Sequence, residues 1–217
     1  MIRCSKIIHS IVNRTPLKKL FTAHRIFVRA YFNYIYVRKD PYFTHRNDIQ
    51  NKFHKAFEMV RGFKAKNTLE IGCGEGRFSH FLAGFSEKVL AIDISDIAIK
   101  RAKGINRNNP NIEFKRIDLL TDNSFEDRYD FIFCSEVLYY LNISQLMEVI
   151  PKIIGLLNQN GKLLLVHIRS LGDDISGKEL KEFGARTIHE AFIRSQQLEL
   201  EKDIISADYR ITLLHRK

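Results

Sequence analysis

Cysteine is scarce in this 217-residue chain, and its placement excludes more than its number. Cys4, Cys73 and Cys134 are odd in count and far apart, so neither a disulfide framework nor a Cys-x-x-Cys metal site can be built; the expected setting is a reducing compartment, the cytoplasm. Long apolar runs are also missing. The most apolar window near the N-terminus, Ile26 to Val37, is interrupted by Arg29 and falls short of the ~18 residues a membrane-spanning helix requires, so no crossing is expected. Acids are absent before Asp40, whereas residues 1–46 carry ten Lys or Arg; from residue 47 onward twenty-five cations face twenty-four acids. The net charge of +10 is therefore a property of the N-terminal arm, and it does not describe a nucleic-acid footprint spread over the rest. No internal repeat or low-complexity tract interrupts the chain.

What is present is an ordered alternation. In the arm, Leu17, Leu20, Phe21, His24, Phe27, Val28, Tyr31 and Ile35 recur at helical steps with Lys18, Thr22, Arg25 and Arg29 on another face, and Pro16 separates this helix from a short first one over residues 4–13. Such a basic amphipathic helix either packs on the core with its cations solvated or meets an anionic membrane surface or anionic substrate. Arg- and Ser-bearing, acid-free residues 1–39 also have the composition of an organelle-targeting peptide. From residue 48, helices and strands alternate: a helix over 48–62, strands over 68–71, 88–92, 112–117 and 129–134, a helix over 143–156, a turn at Asn158 to Gly161, a strand over 162–168, a helix over 187–197, and strands over 198–205 and 209–215. Ser95 is placed as the N-cap of a helix with Asp96 in its first turn and Lys100, Arg101 and Lys103 later, matching the helix dipole. The pattern is that of a parallel α/β sheet covered by helices, organised as an arm, residues 1–38, and one domain, residues 39–217.

The most informative segment is Thr68-Leu69-Glu70-Ile71-Gly72-Cys73-Gly74-Glu75-Gly76-Arg77-Phe78, an apolar run that closes on an acid and opens into three glycines at every second position. Glycines after a strand let backbone approach a ligand closely. A dinucleotide fingerprint would place its third glycine at position 77, where Arg77 stands. Glu70-x-Gly72-x-Gly74-x-Gly76 instead resembles motif I of the class I S-adenosylmethionine (SAM) methyltransferases. Two further strand ends carry acids. Asp93, closing Val89 to Ile92, can accept from both hydroxyls of a ribose, and Asp118 stands where the matching acid in that family accepts from an adenine amino group.

Past strand 4 the chain reads Ser135-Glu136-Val137-Leu138-Tyr139-Tyr140-Leu141. Together with Asp40-Pro41-Tyr42 and Gly184-Ala185-Arg186-Thr187, this segment resembles the NodS-like methyltransferases, named for a nodulation protein that N-methylates an amino sugar, over roughly residues 40–215. The resemblance implies a Rossmann-like sheet of seven strands, the last antiparallel, with helices on both faces. It implies SAM as cofactor, contacted by Glu70, Gly72, Cys73, Gly74, Glu75, Gly76, Asp93, Ile94, Asp118, Leu119 and Ser135, and no metal. The acceptor it implies is a small molecule or glycan, most readily an amine.

Methyl transfer from a sulfonium is an in-line displacement that needs a lone pair held about 3 to 3.5 Å from the methyl carbon and water excluded. An amine acceptor is protonated at neutral pH, so a carboxylate that orients it and takes its proton is useful, and Glu136 is the candidate, with fixing the cofactor's methionine end or capping a helix as its alternative roles. Tyr139 or Tyr140 would wall the sulfonium, only one of the two facing the site because neighbouring residues point in different directions. His167, at the end of strand 5, is placed on the substrate side as a general base that would suit O-methylation of a hydroxylated metabolite, the main alternative. Arg169 with Asp173 or Asp174 would recognise a polar acceptor. Ser135 to Leu138 lack the Asn/Asp-Pro-Pro-Tyr/Phe segment of adenine-base methyltransferases, and Gln145 stands where protein arginine methyltransferases carry a second glutamate. A noncatalytic SAM-binding or membrane-surface scaffold is the remaining reading.

Overall fold

The computed structural model describes residues 25–125, 127–169 and 184–217. The expected helix over 4–13, the first turns of the one that follows Pro16, and Asp173 and Asp174 lie outside the described residues. Helix α1 spans Arg25–Ile35 and α2 spans Asn47–Glu58. Strand β1 (Ala65–Ile71), α3 (Ser79–Ala83), β2 (Ser86–Asp93), α4 (Asp96–Ile105) and β3 (Ile112–Arg116) follow. Then come β4 (Tyr129–Ser135), a single 3-10 turn at Leu138–Tyr140, α5 (Ile143–Leu156), β5 (Leu157–Ile168), α6 (Ala185–Ile193), β6 (Leu198–Ile205) and β7 (Tyr209–Arg216).

The strands form one sheet in the order β3-β2-β1-β4-β5-β7-β6. All neighbours are parallel except β7, which runs antiparallel to both β5 and β6. Alternate strand residues face opposite layers, as a pleated strand dictates. Ile132, Cys134, Leu163 and Leu165 pack against Leu146, Ile153 and Phe192 of α5 and α6. Phe131, Phe133, Leu164 and Val166 pack against Phe53, Leu82 and Ala102 of α2, α3 and α4. Both faces are therefore covered, and the near-continuous apolar sequence of β4 and β5 follows from that burial.

Local capping is as the sequence suggests. Ser95 accepts from the backbone N–H of Ala98 at 3.2 Å. Gln145 closes a capping box with Asn142: its N–H donates to Asn142 Oδ1 at 2.8 Å and its Oε1 accepts from Asn142 N–H at 3.0 Å. One expectation is corrected. Asn158 to Gly161 do not form a separate turn before β5 but lie within it, where the pairing of Tyr129 with Leu157 slips to Phe131 with Lys162. Asn160 takes the positive φ of 60° that this bulge needs, which is the conformation its sequence signals in a turn.

The strand order reverses between β1 and β4, so the crevice opens beyond the carboxyl ends of those two strands. Helix α1 and the segment to Asp40 lie over that crevice. Two of the arm's cations find acids here: Arg25 meets Asp118 and Arg29, still partly exposed, meets Asp96 at 2.7 Å, while Asn33 accepts from Ser95 Oγ at 2.7 Å.

Candidate active site

A cavity of about 580 Å³ fills the crevice, walled by the glycine loop, the ends of β1, β2 and β4, the 3-10 turn, and residues of α1 and α2. The loop after β1 is set by its glycines. Gly72 has φ 79° and a Cβ there would sit 2.8 Å from Val137 Cβ; Gly74 has φ 55° and a Cβ would sit 2.6 Å from the Tyr36 hydroxyl. No other residue fits these positions without displacing the wall. Gly76 is different. It is absent from the cavity lining, and a Cβ on it would strike Asn106 Nδ2 at 2.7 Å and Phe114 at 3.0 Å. Gly76, expected at the cofactor, lies behind the lining, where the third glycine lets α4 and β3 pack against the loop.

Asp93 ties the loop to β2, accepting from Gly74 N–H at 3.0 Å and from Ser95 N–H at 2.9 Å. Burial pushes its carboxyl up to about 6 despite those hydrogen bonds. Glu70 is buried and accepts from Ser79 Oγ at 2.5 Å; burial, with Asp93 nearby, raises it to about 7. Both carboxyls line the cavity, as do Cys73, Glu75, Ile94, Leu119 and Ser135. Glu75 also fastens the cover: it pairs with Arg101 at 2.7 Å and accepts from Asp40 N–H at 3.2 Å, while Arg101 donates to the carbonyls of Val37 and Arg38. Asp118 holds Arg25 in a two-pronged pair at 2.5 and 2.7 Å.

Opposite the loop stands Glu136, one residue beyond β4, with φ 53° in the left-handed region. A non-glycine residue there is strained and is held by its surroundings. Its N–H donates to Val166 O, and its carboxylate takes the Lys52 ammonium, the Tyr139 hydroxyl at 2.8 Å and the Ile168 N–H at 3.2 Å. Burial acts to raise its pKa, but the Lys52 ammonium, His167 and the hydrogen bonds from Lys52 and Tyr139 outweigh it and hold the carboxyl below the ordinary glutamate range. The group is ionised at neutral pH and poised to meet a cation.

Tyr139 and Tyr140 both line the cavity, which corrects the expectation that only one would. The 3-10 turn presents them on adjoining sides, and Tyr42 from the arm's exit brings the wall to Tyr140, with a hydrogen bond between their hydroxyls. His167 is corrected as well. It is fully buried and absent from the lining, with Nδ1 3.1 Å from His189 Nε2 on the α6 side of the sheet, while its neighbour Ile168 faces the cavity. Sequence reasoning missed Lys52, Tyr36 and Arg25. A signal existed for Lys52: Ile49, Phe53 and Ala56 form the apolar stripe of α2, and a lysine at position 52 falls on that stripe rather than opposite it.

These residues fit a nucleoside-bearing cofactor. Bare peptide lies at Gly72 and Gly74, and the acids Asp93 and Asp118 line the same cavity, the second of them paired with Arg25. Among the described residues, no three of His, Cys, Asp or Glu converge as metal ligands, and no helix is long and apolar enough to cross a membrane.

The family model described as nodulation protein S (NodS) matches residues 36–208. Nodulation protein S of Rhizobium tropici is 27% identical over 177 residues, covering 78% of this chain and 72% of that protein. A phosphoethanolamine N-methyltransferase of Triticum aestivum is 30% identical over 107 residues, 48% of this chain, and the match spans only 21% of that protein's length. Among solved structures, the N-methyltransferase NodS of Bradyrhizobium japonicum WM9 in complex with S-adenosylhomocysteine superposes with a TM-score of 0.75 at 22% identity, covering 87% of this chain and 97% of that one. That likeness establishes the shared fold.

Proposed function

The chain belongs to the nodulation protein S (NodS) family, and from that premise we propose that it is a SAM-dependent methyltransferase acting on the nitrogen of a small amine. The observation that carries this reading is Glu136: an ionised carboxylate at the cavity wall, fixed by Lys52, Tyr139 and the Ile168 N–H, facing the glycine loop. The named activities of its relatives, N-methylation by NodS and by phosphoethanolamine N-methyltransferases, support it from outside the structure.

Bound SAM supplies an electrophilic methyl carbon on a sulfonium. Gly72, Gly74 and Asp93 would hold the nucleoside and amino-acid portions, with Asp118 beside the base. Glu136 attracts the acceptor's ammonium and orients it, and once the proton has been relayed to water the nitrogen lone pair is held for in-line attack. Tyr139 and Tyr140 line the same region, where an aromatic ring favours a neighbouring cation. Helix α1, with Phe32 and Tyr36 in the wall, excludes water. The cavity must hold cofactor and acceptor together, so the acceptor's reacting end is small. An amino sugar or a short amino alcohol fits that description.

His167, the residue the sequence offers as the base for O-methylation of a hydroxylated metabolite, is not among the lining residues, whereas the carboxylate that is there suits a cationic acceptor. The basic residues before Arg25 lie outside the described part; contact with an anionic membrane surface rests on their charge alone and is tested by co-sedimentation of the full chain, and of a chain lacking residues 1–24, with anionic vesicles. Titration calorimetry with SAM tests the core of the proposal. Binding with a thermal shift is expected, and a protein that gives neither heat nor shift is no methyltransferase.

A further inference from the structure

Behind the site, on the α6 side of the sheet, a chain of buried polar groups runs outward from β5 to the edge strand. His167 Nδ1 lies 3.1 Å from His189 Nε2, His189 Nδ1 lies 2.5 Å from Thr212 Oγ1, and the Thr212 hydroxyl donates to Asp203 Oδ1 at 2.6 Å. His167, His189 and Thr212 are completely buried, and the Arg210 guanidinium donates to the Asp203 carboxylate at 2.7 and 3.1 Å. Nothing in the methyl-transfer chemistry described above uses these groups, yet a buried polar chain of this length is costly unless every member is satisfied.

The order of donors is fixed from the outer end. A carboxylate only accepts, so Thr212 gives its single hydroxyl proton to Asp203. Thr212 Oγ1 must then accept from His189 Nδ1–H. Burial, with His167 and Arg210 nearby, keeps His189 neutral, well below the ordinary histidine range, so its Nε2 bears a lone pair and accepts from His167 Nδ1–H. A neutral His167 is thereby the Nδ1–H tautomer, with a lone pair at Nε2. Its ring stands edge-on to Tyr139, centroids 5.7 Å apart, and Tyr139 donates to Glu136. Among the described residues, the titratable or charged groups facing this pair include Asp203 from β6, Arg210 from β7, His189 from α6, and Glu136 with Tyr139 from the segment after β4.

We propose that Thr212 and Asp203, at the far edge of the sheet, are positioning residues for the methyl-transfer site: through His189 they fix the tautomer and ring plane of His167, which braces Tyr139 against Glu136. The role given to Glu136 rests on the amine-methylation reading; the tautomer chain does not. With His189 accepting at Nε2, the chain fixes the direction of the His167 Nδ1–H and with it the plane of the ring that stands against Tyr139.

The test is nitrogen-15 NMR of the histidine side chains in the full chain, with Thr212→Val and Thr212→Ser beside it. Wild type is expected to show Nδ1–H at both His167 and His189. Thr212→Val, which keeps shape and removes the hydroxyl, is expected to lose that pattern at His189 and His167, to leave SAM affinity unchanged, to lower kcat about tenfold at nearly constant KM, and to move the pH midpoint of kcat. Thr212→Ser is expected to restore all of these. An Nε2–H tautomer at His167 in wild type, or a tautomer pattern and pH profile unaltered in Thr212→Val, overturns the proposal. Should Thr212→Val not fold, the wild-type tautomer still decides. Should no amine be methylated, the amine reading falls, while the histidine tautomers still decide, independently of it, whether the hydrogen-bond chain exists.

Discussion

The Lys52 ammonium and the Glu136 carboxylate meet at the cavity wall from positions 84 residues apart, one on α2 and the other just past β4. The side chains are 6% and 23% exposed, so each is the other's main compensation for lost water.

Removing one member should therefore hurt more than removing both. Lys52→Met is expected to destabilise the fold by about 3 kcal/mol, the scale of leaving a buried charge unpaired, and Lys52→Met with Glu136→Gln to regain most of it. Folded-state pKa depression at Glu136 means this pair stabilises above the ordinary glutamate pKa and is lost as pH falls through the lowered value; in Lys52→Met the direction reverses. Urea unfolding at several pH values measures this, and strictly additive losses would show that the pair carries no coupling.

Glu136→Gln keeps shape and removes charge. Turnover with an amine acceptor is expected to fall on the order of 10²-fold while SAM affinity stays level. A variant that loses SAM affinity in proportion would reassign Glu136 to the cofactor's methionine end.

Asp93 makes cofactor binding pH-dependent. Its carboxyl is raised to about 6, and protonation turns one of its two acceptor oxygens into a donor, so a pair of ribose hydroxyls is received best by the ionised form. Affinity for SAM should be level above that value and decline below it, by at most about tenfold per pH unit. Calorimetry between pH 5 and 8 reads this directly, and a flat profile would remove Asp93 from ribose recognition.

Gly74 and Tyr36 form a steric pair. Gly74→Ala places a Cβ against the Tyr36 hydroxyl, at 2.6 Å, and adds strain at φ 55°. SAM binding is expected to weaken sharply, with Tyr36→Phe in the same chain recovering part of the loss and the backbone strain of about 1 kcal/mol remaining. No recovery would mean that the Tyr36 hydroxyl does not set the space over the loop.

Arg25 and Arg29 hold α1 over the cavity through Asp118 and Asp96. Arg25→Gln with Arg29→Gln should speed SAM release about tenfold, and high salt should mimic the effect in wild type. Release that is slower in the variant would show that Arg25 competes with the cofactor at Asp118.

The glycine loop and the strand-end acids were legible in the sequence because strand periodicity and the position of Glu70, Asp93 and Asp118 carry through directly to the sheet's carboxyl edge. His167 was misplaced because side chains alternate: Ile168 turns toward the cavity, and its neighbour must turn to α6. Gly76 carried a motif signal whose cause is packing against Asn106 and Phe114. Lys52 and Arg25 find their carboxylates across long stretches of chain, and no local pattern names such partners. The charge of the arm was visible at once; that two of its cations meet acids beside the cavity was not.

Transfer of a carbon-13 methyl group from labelled SAM to a panel of small amines and matched alcohols, read by NMR of the product, tests the central claim most directly. Label on nitrogen, lost in Glu136→Gln, is the expected result. Label on oxygen with amines untouched, or SAM bound and no acceptor methylated, would contradict it.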